Sequence, residues 1–214
     1  MLTEPLSIIA LIAIAVISLS LLITTDWRIS ILLLSLQYVA VFFLVLISWP
    51  LQMAVVKLVA GWMAGAVIGM AIISSPTVRQ KLEYGSQSIN NESRASVWST
   101  FIQTGRPFQL LAAGLVGLSV IYLAPQIDEW IPEIGIVPAL GGLTLIGMGL
   151  LKLGFNDQPL MIIFGLLTVL AGFEIIYSFL ENSALVAGLL AVITLGLALV
   201  GAYLLTAPDM EGIE

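Results

Sequence analysis

The amino-acid sequence predicts an all-α, polytopic membrane helix bundle of about seven transmembrane helices, laid out as a duplicated three-helix unit. Three observations predict it. The chain of 214 residues is 60% hydrophobic and only 9% charged, whereas ordinary soluble domains are about 25% charged. So much apolar surface has no single core to hide in. The apolar residues also come in runs of about 20, the length at which a helix crosses a hydrocarbon core. Finally, most of these runs are separated by a few residues, which makes antiparallel hairpins.

The elements follow in order. The run 7–24 reads as a retained helix and not a signal peptide: the opening MLTEP carries no basic residue, and further spans follow. "TDWR" leads into 29–49, and "WPLQ" into 52–75. These spans form a first three-helix membrane unit, 1–75. Segment 76–106 is the one long interruption. It is polar at "EYGSQSINNES", and then places Val97, Trp98, Phe101 and Ile102 at helical spacing between Arg94 and Arg106. That pattern suits a short helix in the membrane interface or a plain tether. Segment 107–134 holds the fourth helix (107–124) and an external loop, in which "PQIDEWIPEIG" reads as an interfacial cap. A second three-helix unit, 135–206, contains the spans 135–154, 159–180 and 183–206, with the turns "FNDQP" and "LENS". An acidic tail, 207–214, ends the chain. The two units share one layout and start on the same side, which makes a parallel repeat.

Lys and Arg set the orientation. Arg28, Arg79, Lys81, Arg94, Arg106 and Lys152 fall on one side of the seven-span layout, whereas Asp128, Glu129 and Glu133 fall on the other. The N-terminus is therefore expected outside and the C-terminus in the cytoplasm, as in a bacterial-type inner membrane. "NES" at 91–93 matches a glycosylation acceptor but falls on the cytoplasmic side, so it carries no weight.

Composition also excludes function classes. Cysteine and histidine are absent, which removes thiolate chemistry, the usual metal ligands and the usual proton shuttle near neutral pH. No phosphate loop, dinucleotide motif or nucleophile–base set occurs. An enzyme, a metal centre and a cofactor are not expected. A net charge of −6 gives no basic face for nucleic acid.

Two charges stand deep inside spans: Lys57 and Glu174, opposite in sign and each about 9–10 Å below the outer surface by helical rise. A lone charge at a helix centre costs about 2.5–3.5 kcal/mol on the lenient insertion scale. The two are expected to face each other, or to share a polar partner among Gln37, Tyr38, Thr168, Tyr177 and Ser178. Gly61, Gly65 and Gly69 follow Lys57 at steps of four and form a stripe on which another backbone can pack. Two readings of the pair stand side by side. It is structural, either an ion pair that fixes helix register or a Lys57 that snorkels outward to water, or it is functional, a proton or ion relay or a coupling charge. The small-residue runs "LGGLTLIGMG" and "LAVITLGLALVGAYLL" read as packing surfaces.

Two stretches resemble a known group. "DWRISILLLSLQYVAVFFLV" followed by "MAVVKLVAGWMAGAVIGMAII" resembles the front of component E of multisubunit membrane hydrogenases. "FGLLTVLAGFEIIYSFL" with the next span resembles the NuoK- and MrpC-type subunits of the complex I and cation/proton antiporter group, with "GFEI" similar to a "GLEI" pattern. The resemblance implies a non-catalytic membrane subunit of a proton- or cation-translocating complex, packed against antiporter-like integral membrane partners. Glu174 would match the group's intramembrane glutamate, and Lys57 the component E lysine. The last span lacks the second acid of NuoK-type subunits, and Gln37 stands where a glutamate would be expected. Both departures favour a coupling or structural subunit over direct conduction. The alternative is a membrane scaffold or assembly subunit with no transport role.

Overall fold

A computed structural model describes residues 3–75, 106–131, 134–181 and 183–207. The expected interfacial helix, the glycosylation-like triplet and nearly all of the acidic tail lie outside them. The described chain is all-helical, with seven helices long and apolar enough to cross a membrane. They are α1 (Thr3–Ile23), α2 (Trp27–Val45), α3 (Leu51–Ser74), α4 (Arg106–Trp130), α5 (Ile136–Phe155), α6 (Pro159–Tyr177) and α7 (Ala184–Thr206). Every backbone donor and acceptor must be satisfied without water in the hydrocarbon, so each apolar run closes on itself as a helix.

The helices form two layers. α1, α2 and α3 pack in sequence, as do α5, α6 and α7; across the layers α1 meets α5, α2 meets α6 and α3 meets α7. The central α2–α6 contact is the heart of the core, where Leu34, Val41, Leu44, Phe164, Leu167, Ala171 and Ile175 are fully buried. α4 stands outside, packed mainly on α5.

The closest helix approach is α5 on α6, and glycine makes it possible. A Cβ built on Gly149 would lie 2.9 Å from the Gly165 carbonyl oxygen, and one on Gly142 would lie 3.0 Å from that of Gly172. Lipid tails are as apolar as leucine, so helices associate in a membrane chiefly through such close packing. The small-residue run of α5 is therefore a packing surface, as its sequence suggested. The run in α7 is divided: Gly201 faces Ile163, whereas nothing lies near Gly188 or Gly196.

Two expectations need correction. The fourth span does not end at 124: α4 runs through Pro125 to Trp130. Pro125 forfeits a backbone hydrogen bond, but packing holds the extension, since Ala124, Ile127 and Ile131 meet Ile134 and Ala139 at the start of α5. Gly135, at φ 71°, then reverses the chain in a conformation that costs other residues dearly. Lys152, counted with the basic residues that flank the spans, is buried. It lies in the last turn of α5, 2% exposed, and its ammonium donates to the Leu21 carbonyl near the end of α1. The last carbonyls of a helix lack partners within it and carry partial negative charge, so a cation is welcome there.

Candidate functional site

Lys57 and Glu174 meet. Their side chains form an ion pair at 3% and 1% exposure. Lys57 lies six residues into α3, about 9 Å along the helix. Glu174 is in the last turn of α6, which closes at Tyr177 and continues as a turn through 178–180. A carboxylate in a last turn opposes the helix dipole, which adds to its need for a cation. Both side chains are held inside by helix packing. Lys57 shares its face with Ala54, Gly61 and Ala64, all buried, and Glu174 is buried among Ala171 and Ile175.

A third member comes from α7. Lys57 Nζ donates to Thr194 Oγ1 at 3.0 Å. The Thr194 hydroxyl faces the Leu190 carbonyl at 2.9 Å and Glu174 Oε1 at 3.5 Å. It has one proton to give, to the backbone or to the carboxylate, while its lone pair receives the ammonium in either case. Ammonium, hydroxyl and carboxylate thus form a closed triangle across α3, α7 and α6. Chemically, the triangle can hold a charge pair in an apolar setting. It can also pass a proton between Lys57 and Glu174, directly or through Thr194.

Tyr38 supplies a fourth wall. Its ring lies against Gly61, where a Cβ would overlap it, and it faces Lys57 Nζ at 5.7 Å from the ring centre. Gly61 therefore serves an internal contact. Gly65 and Gly69 are not required in this way, because a Cβ at either would meet the Ser35 and Ile31 side chains at an ordinary 3.5–3.9 Å. The other candidate partners lie apart from the pair. Thr168 bonds back to the Phe164 carbonyl at 2.7 Å, and Tyr177 stacks on Phe173 at 5.5 Å. Ser178 accepts from Ser48 at 2.8 Å and donates to the Ile175 carbonyl. With the Trp49 indole donating to the Glu181 carbonyl at 3.0 Å, this contact ties the turn after α2 to the turn after α6, one helical turn above Glu174. Gln37 is fully buried, and neither end of its amide has a hydrogen-bond partner among the described residues; the same holds for the Tyr38 and Ser30 hydroxyls.

Comparison with protein-family models, curated proteins and solved structures found no match.

Sequence reasoning missed Thr194. It sits within a run read as packing, "LAVITLGLALVGAYLL", yet it is the single polar side chain between Ser183 and Tyr203. A lone hydroxyl in mid-span is the signal that could have found it.

Proposed function

We propose that the chain is a non-catalytic integral membrane subunit of a proton- or cation-translocating complex, of the complex I, hydrogenase or antiporter kind. The observation that carries this reading is the Lys57–Thr194–Glu174 triangle, buried inside the bundle. Ionisable groups in a membrane interior are costly, and they mark ion pathways and proton relays more often than packing. Glu174, in "GFEI", then takes the place of the group's intramembrane glutamate, and Lys57 that of the component E lysine. The N-terminus lies outside and the C-terminus in the cytoplasm, in keeping with the placement of Arg and Lys.

Gln37, Tyr38 and Ser30 support the same reading. Buried polar atoms without a protein partner are the kind that internal water satisfies, and all three residues are on α2. Water there would extend a polar line from the triangle toward the end of the bundle that carries the α1–α2 turn. Gln37 does not titrate, so it can hold water or a hydrogen bond but not a charge.

The test uses the assembled complex in membrane vesicles, with gentle-detergent pull-down to identify the partner subunits. In the complexes that assemble, Glu174→Gln and Lys57→Ala are expected to depress ion pumping. Pumping at the parental rate in both variants sinks the relay. Tolerance of the exchanged pair, Lys57→Glu with Glu174→Lys, would favour the scaffold reading, in which the pair fixes register alone.

A further inference from the structure

Between α2 and α3 lies a groove of about 710 Å³, lined by residues of these two helices alone. Gly65 and Gly69 lie along its floor, where a Cβ would meet only the Ser35 and Ile31 side chains, at 3.5–3.9 Å. Trp62 stands at the inner end, half-exposed, with its indole N–H donating to the Ser35 carbonyl at 3.2 Å. Arg28 stands at the other end, in the first turn of α2, with its guanidinium over the Trp27 ring at 5.1 Å. Met70 on the rim is 71% exposed.

Length identifies the occupant. From Trp62 to Ile73 the groove follows eleven residues of α3, about 16 Å of helix. That is about half of the roughly 30 Å hydrocarbon layer, or one leaflet. A transmembrane helix packed here would run the full thickness, whereas a fatty acyl chain ends at the midplane, where Trp62 stands. Charge supplies the rest. The open end carries a guanidinium at headgroup level, and a basic group near the surface attracts an anionic headgroup by about 1 kcal/mol. We infer that this groove binds an anionic phospholipid, with one acyl chain along Gly65 and Gly69 and the phosphate of its headgroup at Arg28.

Native mass spectrometry of the full chain in mild detergent tests this, with phosphatidylglycerol and phosphatidylcholine of matched acyl chains added in turn. Phosphatidylglycerol is expected to bind about fivefold more tightly, the equivalent of one basic group at the surface. Arg28→Gln should erase that preference and leave phosphatidylcholine binding unchanged. Gly69→Leu, which fills the floor, should weaken both lipids, and inorganic phosphate should displace neither. A photoreactive side chain in place of Met70, activated in native membranes, should gain a lipid mass. Equal binding of the two lipids by the parent chain, or a preference that survives Arg28→Gln, overturns the inference. So does a photoadduct with the mass of a protein, whether a partner helix or a second copy. If Arg28→Gln fails to fold, Gly69→Leu and the photoadduct still decide.

Discussion

Removing one partner of the buried pair should cost far more than removing both. In Glu174→Met, the Lys57 ammonium keeps only the Thr194 hydroxyl at 3.0 Å and the Tyr38 ring at 5.7 Å. It loses a charge in direct contact, worth about 4 kcal/mol at the effective dielectric of partly buried sites. Relief of the carboxylate's clash with the α6 dipole returns about 0.5 kcal/mol. The net loss is about 3.5 kcal/mol, within the range that broken buried pairs cost. Lys57→Met leaves the mirror problem, a buried carboxylate with one distant hydroxyl, and should cost about as much. The double variant buries two apolar side chains of similar size and should lie within about 1 kcal/mol of the parent. A double-mutant cycle should then return a coupling energy of about 6 kcal/mol or more. The assay is reversible unfolding in mixed micelles, followed by the fluorescence of the chain's tryptophans. Single losses that add to the double within about 0.5 kcal/mol would refute the reasoning, since they would mean that the two charges do not feel each other.

Three further outcomes are expected from the same assay. Thr194→Val should lose about 1.5–3 kcal/mol, the worth of a hydrogen bond to a charged group, and Thr194→Ser should restore most of it; equal stability of the two variants would remove Thr194 from the site. Gly149→Leu should lose at least about 1–3 kcal/mol by forcing α5 off α6, while Gly196→Leu on the open side of α7 should lose little, and the reverse order would contradict the packing described. Lys152→Glu should lose about 3 kcal/mol or more, because a buried carboxylate would replace the donor to the Leu21 carbonyl. Accumulation and unfolding of that variant like the parent would show that Lys152 lies in water.

Element existence was legible because a bilayer simplifies the problem. Length and apolar content alone decide what spans, and every span expected from the sequence is present as a helix. Ends were less legible. "PQIDEWIPEIG" has the turn signals of a loop, and Pro125 is a helix breaker in isolation; packing of Ala124 and Ile127 on the next helix outweighs that local cost. Lys152 misled for a related reason. A basic residue near a short polar turn reads as solvated, and nothing in its neighbours discloses that the end of α1 lies beside it.

By itself the sequence determined that this chain is a bundle of membrane helices and that Lys57 and Glu174 need company. Period, length and the cost of charge in hydrocarbon are local quantities, written residue by residue. Tertiary structure alone decided who the company is. Thr194 bonds the pair, where of the five more obvious candidates only Tyr38 lines it, because α7 packs on α3 and carries the Thr194 hydroxyl to the junction with α6. It likewise decided that Gly61 is filled by Tyr38 while Gly65 and Gly69 line a groove between α2 and α3. Which face meets which is a property of helices packed together, and no span encodes it alone.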